Sequence, residues 1–324
     1  MWACVLVAYS KPYLSIPAQL SLIKSRGMII SDDALAQAYL NRIGYYRLSG
    51  YWYPYRSSQM VGAKIIVSDK FRANTKFSEV VELYVFDKKL RLLMMDAIER
   101  VEIALRVQIT LALGRHGPHA HRDQAALHGN FSVRADPATG FPKHHKWLSR
   151  HDEAFLNSKE EFAKHFKNKY AGENPPVWIA AELWDFGAMS MLFSGMKRPD
   201  QTVIANTLGV GDPDVMRSWL HFINVARNIC AHHSRFWNKP NPARPAWPTA
   251  ADCPDLGHVE NDTNAKTRTY GLACICAYLL RTINPNSKWR DRFKAVINEF
   301  PSSTIVNLKS AGFPHDWQKA NIWL

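Results

Sequence analysis

From Ser78 to Leu113 the apolar residues recur every three or four positions with no glycine or proline among them. That pattern predicts one helix about 50 Å long at 1.5 Å per residue, stopped by Gly114. Two shorter helices precede it, over Ala18 to Arg26 and Asp32 to Ile43, with Gly27 ending the first and Ser31 or Asp32 capping the second. Beyond it, Trp147 to Tyr170 reads as a charged amphipathic helix, and Val177 to Met196, entered through Pro175-Pro176, as a more buried one. Further helices are expected near Gln201 to Leu208, from Pro213 to about Trp237, over Thr267 to Ile283 and over Arg290 to Glu299.

Three stretches break the periodicity. Gly44 to Arg56 carries two glycines, a proline and six aromatics, so it reads as a structured turn or short extended piece. Arg115 to His145 is rich in His, Gly and Pro and reads as an irregular excursion. The prolines between Pro240 and Pro254 forbid regular structure there. The strand signal is slight and no repeat is visible, so the fold class is all-α, a helical bundle around the long helix. A small helical and aromatic lead-in over 11–72 would precede a helical domain over 73–324.

Composition narrows the partners. A chain of 324 residues, 47% hydrophobic, can bury a sizeable core, and 41 Lys plus Arg against 28 Asp plus Glu leave a net charge of +13. Such an excess suits a polyanion, either nucleic acid or an anionic membrane surface. The apolar runs Met1 to Ala8 and Gly271 to Leu280 are both far shorter than the ~20 residues of a bilayer span, and the first lacks a basic leader. It is expected to be a frayed or buried terminus, the protein cytoplasmic, and no membrane a partner. Cys4, Cys230, Cys253, Cys274 and Cys276 have no Cys-x-x-Cys spacing and are expected to be reduced structural thiols.

On a helical wheel at ~100° per residue, Trp219, Phe222, Ile223, Ala226, Cys230, His233 and Trp237 share one face of the helix starting at Pro213. His233 on that face is expected to be a hydrogen-bonded buried imidazole. An opposite arc about 80° wide collects His221, Asn224, Asn228, His232 and Arg235, with Arg227 flanking it. Asn and His are poor helix formers compared with the Lys, Glu and Gln of ordinary solvated faces, so this stripe reads as the lining of a cleft. A metal site is not expected, because His221 and His232 lack i, i+4 spacing and no carboxylate shares their arc.

Arg227-Asn228 followed by His232 resembles the Arg-polar-spacer-His signature of the HEPN superfamily, all-α proteins that are often metal-independent endoribonucleases. The stretch Gly44-Tyr-Tyr-Arg-Leu-Ser-Gly-Tyr-Trp52 resembles the N-terminal signature of the Abi-like (AbiD and AbiF type) abortive-infection proteins. Phe86-Asp87, Leu90-Arg91, Ile98-Glu99, Glu102 to Arg106, Pro176-Val-Trp178 with Glu182, and Gly312 to Trp317 are similar to later parts of that family. The resemblance runs from about Lys11 to Trp317 and is least over Arg115 to His145.

The resemblance implies a HEPN-like bundle and an endoribonuclease of phage defence that needs no cofactor. RNA supplies its own 2′-hydroxyl as nucleophile, so the protein must move protons and neutralise charge on the phosphate. His232 suits the first task, because imidazole exchanges protons near neutral pH. Arg227 suits the second with its planar fork, and Asn228, one turn before His232, would orient the imidazole or the phosphate. A 2′,3′-cyclic phosphate is the expected product. A single motif makes a thin acid-base set, so the family implies a homodimer with a composite site.

Glu102 and Arg106, with Glu99 in the same arc, read as a solvated i, i+4 ion pair; the resemblance, which packs this helix against the motif helix, implies equally that Glu102 or Arg106 positions Arg227, with Asn224 and Arg235 as further supports. Arg42, Arg47 and Arg56, interleaved with the aromatic cluster, and His221 are RNA-binding candidates, while most of the rings are expected to pack. Two other functions remain open: a non-catalytic protein holding a structured noncoding RNA, and a protein-interaction module sharing only the fold. An antitoxin RNA or protein is a further expected partner of the ribonuclease.

Overall fold

The computed structural model describes residues 10–324. Met1 to Ala8 and Cys4, read above as a terminus and a thiol, lie outside the described residues. The protein is all-α apart from one small hairpin. In chain order the helices are α1 (Ile16–Ser25), α2 (Asp33–Ile43), α3 (Tyr45–Trp52), α4 (Phe77–Gly114), α5 (Gly129–Ser132), α6 (Lys143–Asn157) and α7 (Glu161–Lys169). They continue with α8 (Val177–Ala180), α9 (Phe186–Gly195), α10 (Arg198–Thr207), α11 (Pro213–Ala231), α12 (Thr263–Lys266), α13 (Thr269–Ile283) and α14 (Trp289–Asn298). Two compact units emerge: one runs up to Lys88 and includes Glu299–Asn307, and the other comprises Lys89–Asn298 and Leu308–Leu324.

In the smaller unit, Ser15 and Asp32 cap α1 and α2 with side-chain oxygens, leaving Leu20, Ile23, Ala36 and Leu40 to form the buried faces. The aromatic stretch expected to be a turn or extended piece folds instead as α3. Its rings reach a core that its few aliphatic residues could not fill. Tyr51, Trp52 and Tyr55 are buried, Trp52 meeting Tyr45 and Phe71 edge-on, and the Tyr51 hydroxyl donates to buried Asp87 at 2.6 Å. Tyr46 remains exposed and Tyr53 half-exposed.

An antiparallel hairpin of β1 (Arg56–Val61) and β2 (Lys64–Phe71) follows, unforeseen because its apolar residues do not alternate. Met60 pairs with Ile65 and Gln59 with Ile66, and all of Met60, Val61, Ile65 and Ile66 are exposed. Gly62, at φ +61°, takes the first position of the two-residue turn, where hairpin turns favour glycine.

In the larger unit, the segment expected to form one helix over Trp147 to Tyr170 is two. Ser158 ends α6 in extended backbone, and Lys167 of α7 reaches back to donate to the carbonyls of Phe155, Leu156 and Ser158 at 3.3, 3.0 and 3.1 Å. Likewise the run from Val177 to Met196 is broken before Asp185, whose carboxylate caps α9 through the Ala188 N–H at 2.7 Å.

The His-rich excursion is mostly irregular but folded inward. His121, His144 and His151 are buried beside Trp147 and Trp184, with His121 and His151 rings 5.6 Å apart. The His144 ring bonds the His121 carbonyl at 2.8 Å, whereas neither ring nitrogen of His121 meets a hydrogen-bond partner among the described residues. Arg122 forks onto Asp152 at 2.6 and 3.1 Å alongside.

The C-terminal residues close an aromatic cluster of Tyr270, Phe293, Phe313, Trp317 and Trp323. Cys230, Cys253, Cys274 and Cys276 are buried, and no helix among the described residues is long and apolar enough to cross a membrane.

Helix α11 is the hub, packed against α9, α10 and α13 through Met216, Trp219, Leu220, Phe222, Ile223, Ala226 and Cys230. Trp219 is 1% exposed, meets Tyr278 edge-on and donates its indole N–H to the Ala246 carbonyl at 2.8 Å. Trp219→Ala is therefore expected to cost about 3 to 5 kcal/mol in urea unfolding, from lost burial and an orphaned carbonyl. A cost below about 1 kcal/mol would contradict this packing.

Candidate active site

Asp212 accepts from the Asp214 N–H to cap α11, Pro213 occupies its first turn, and Arg198 and Arg217 clamp Asp214 at 2.7 and 2.8 Å. The hydrogen bond from Arg198 holds the Asp214 carboxyl below the usual range. These contacts fix the start of the helix, and hence the direction in which its polar side chains leave the core.

The helix ends earlier than its periodicity suggests. His232 is its C-cap, and His233 adopts a left-handed conformation at φ +56°. The His233 N–H bonds the Cys230 carbonyl and the Ser234 N–H the Ile229 carbonyl, both at 3.0 Å, the double closure usually made by glycine. His233 is exposed rather than a buried imidazole, because the chain leaves the helix at His232, before a further turn could carry His233 to the core face. Trp237 is buried all the same, reached through a turn.

His221, Asn228 and His232 are exposed, while Asn224, Arg227 and Arg235 are partly buried. The polar arc divides between two concavities. His221 and Asn224 line a cavity of about 820 Å³. Arg227, rotated away from them, opens instead onto a groove of about 480 Å³ walled by one face of α4, including Leu92, Glu99, Glu102, Ile103 and Arg106. Asn228 and His232 line neither of these two spaces and stand on the surface beyond.

In the groove, Glu102 lies between two guanidinium groups, 4.0 Å from Arg227 Nε and 3.7 Å from Arg106. Burial pushes the Glu102 carboxyl up; Arg227 and Arg106 oppose that shift without cancelling it, being just beyond hydrogen-bond range. Arg227 Nε is buried and has no hydrogen-bond partner among the described residues. Arg106 is held from its other side by the Trp184 carbonyl at 3.1 Å and by Glu182 at 4.0 Å. The Glu102–Arg106 pair, at 17% and 20% side-chain exposure, is thus not a solvated surface pair.

Arg42, Arg47 and Arg56 belong to the smaller unit, whereas Arg227, Asn228 and His232 belong to the larger. Arg42 and Arg47 are exposed; Arg56 pairs with Asp69 at 3.2 Å and lies over the Tyr53 ring. Among the described residues, no group of three or more His, Cys, Asp or Glu is arranged to hold a metal ion. The cationic lining of the larger cavity escaped sequence reasoning. Its members Lys143, Lys146, Arg217 and Arg244 come from three separate stretches with no shared spacing.

The fold and the site are those of a helical protein whose central helix carries Arg227-Asn228 and is capped by His232. Residues 38–238 match the Abi-like protein family, well over half of the chain, and the protein belongs to that family. No match was found among curated proteins or solved structures. The matched segment holds the aromatic α3, the long α4 and the whole of α11, and ends just past Trp237.

Proposed function

We propose that the protein is a metal-independent endoribonuclease of the HEPN superfamily acting in abortive-infection phage defence. Membership of the Abi-like family supports the biological setting. The observation that carries the chemistry is the state of Arg227: partly buried, opening on a solvent-reachable groove, its Nε without an acceptor among the described residues, five residues before an exposed His232. Such a guanidinium is desolvated enough to bind a phosphate strongly and is not already consumed by a tight ion pair.

In the proposed reaction the RNA 2′-oxygen attacks the adjacent phosphorus as His232 accepts its proton. The P–O5′ bond breaks, and the leaving 5′-oxygen takes a proton from a second imidazole. Arg227 neutralises the charge gathering on the non-bridging oxygens. Glu102 acts as a positioning residue that aims Arg227, and Asn228 steadies the imidazole or the phosphate.

One copy supplies one such histidine, and Arg227 faces the α4 groove while His232 stands outside it. A homodimer that brings two copies of the motif together completes the acid-base set. Exposed Leu92, Ile103, Val107 and Leu111 on α4 offer apolar surface for that pairing. The substrate is RNA, the compartment the cytoplasm, and restraint by an antitoxin fits a toxic nuclease.

Purified protein incubated with RNA in excess chelator is expected to leave 2′,3′-cyclic phosphate and 5′-hydroxyl ends. Fragments ending in a 3′-hydroxyl, or cleavage that requires added metal, would sink the mechanism.

A further inference from the structure

The 820 Å³ cavity of the larger unit is distinct from the Arg227 groove, sharing none of its lining residues. It is formed where the folded excursion and the start of α6 face α9 and the first turns of α11. Lys143, Lys146, Arg217 and Arg244 place four cations around it, against one lining carboxylate, Asp136. Arg217 is committed to Asp214 at 2.8 Å, but Lys143, Lys146 and Arg244 are exposed and make no ion pair among the described residues. Like charges held together unpaired cost free energy, and an anionic occupant relieves it.

The remaining walls are of two kinds. Phe131 and Met191 supply apolar surface, while the Asn224 carboxamide and His221 supply hydrogen-bonding groups. A Cβ at Gly187 would stand 3.3 Å from Asp185 Oδ1 and 3.5 Å from both terminal atoms of the Asn224 amide, so this wall is closely packed. A lone inorganic phosphate would leave most of this space and all of its apolar wall unused. The volume falls within the ~300 to 1,000 Å³ typical of small-molecule sites, and charged rim, flat apolar wall and amide together match phosphate, base and base edge.

We propose that this cavity binds a nucleoside phosphate, with the phosphate against Lys143, Lys146 and Arg244 and the base toward Phe131, Met191 and Asn224. The nucleotide arrives either free or as one unit of an RNA strand. This inference concerns binding only and does not depend on the protein cutting RNA.

The test uses the full chain carrying Arg227→Ala, so that cleavage does not consume the probe. Binding is measured for the four nucleoside 5′-monophosphates by calorimetry and for a fluorescein-labelled eight-nucleotide single-stranded RNA by anisotropy. Two further variants, Lys143→Glu with Arg244→Glu and the uncharged cavity filler Thr139→Trp, are expected to weaken the monophosphates by about tenfold or more, these positions being exposed enough to leave folding intact. If the RNA weakens in parallel in both variants, the occupant is a nucleotide of a strand; if only the monophosphates weaken, it is a free nucleotide. The proposal is overturned if neither probe binds the parent, if both variants bind like the parent, or if charge reversal alone acts while Thr139→Trp has no effect. Circular dichroism of each variant checks the fold. Because no arm reads cutting, failure here and failure of the ribonuclease mechanism are separate results.

Discussion

Arg227→Ala and His232→Ala should each lower RNA cleavage by about 10²-fold or more, in line with losing a transition-state charge partner or a positioned acid-base group. Host toxicity is expected to fall with cleavage in both. His232 is exposed at the helix end, so its removal should change stability by less than about 0.5 kcal/mol. Arg227→Lys should not restore the rate, because a point charge cannot replace the planar two-point fork. Glu102→Gln tests the positioning role separately: kcat should fall more than KM rises, since the guanidinium would still be present but less well aimed. Variants as toxic as the parent, with RNA still bound, would leave a non-catalytic RNA-holding protein as the better reading. Rates are best measured across protein concentration, because a composite site loses specific activity on dilution.

The second large effect is acid lability centred on the buried histidines. Burial above all holds His121 down to about 3, aided by His151, Arg122 and His119 against Asp152; burial likewise lowers His151 to about 4, and Asp152 only partly offsets it. In the unfolded chain both imidazoles titrate near ~6.5. Above that pH both states are neutral and no stability depends on them. As pH falls below it, the unfolded state binds protons that the folded state refuses, so stability drops by up to about 1.4 kcal/mol per pH unit for each ring.

Urea midpoints should therefore shift steeply downward between pH 6.5 and 4. Asp152 and Asp214, whose carboxyls are lowered mainly by Arg122 and Arg198 respectively against their burial, add their losses only in the carboxylate range below. His121→Phe, which keeps a ring in the site and removes one titration, should lower the slope near pH 5 by up to about 1.4 kcal/mol per pH unit, the burial-lowered His144, His151 and His258 continuing to contribute. Equal slopes in parent and variant would show that this cluster does not control acid sensitivity.

The all-α class and the long helix were readable because a strictly three-and-four spacing over so many residues has no competing interpretation. Where tertiary contacts override local periodicity, the reading slipped. Ser158 stops α6 because Lys167 supplies a cap from the next helix, a contact eleven or so residues away in the chain. The hairpin of Met60, Val61, Ile65 and Ile66 eluded the pattern because neither face is buried, so alternation was never selected.

At the candidate site, the wheel places Asn228 and His232 outward and Trp219, Phe222, Ile223, Ala226 and Cys230 inward, in agreement with their exposure. It put His233 in the core because a wheel carries no information about where a helix stops. Glu102 was visible as part of an arc, but only the fold reveals that it faces Arg227. The compact units divide at Lys88 within α4, and the smaller recruits Glu299–Asn307, a return of the chain that no local pattern records.

The four described cysteines carry one more consequence. All are buried, and burial pushes the thiols of Cys253 and Cys276 up, the latter to about 12, so these two hold negligible thiolate at neutral pH. Maleimides and peroxide should find these sulfurs slow to react. A single cysteine engineered beside His232, in a chain with Cys4 replaced, would then take a fluorophore cleanly and report directly on whether two motif helices approach one another.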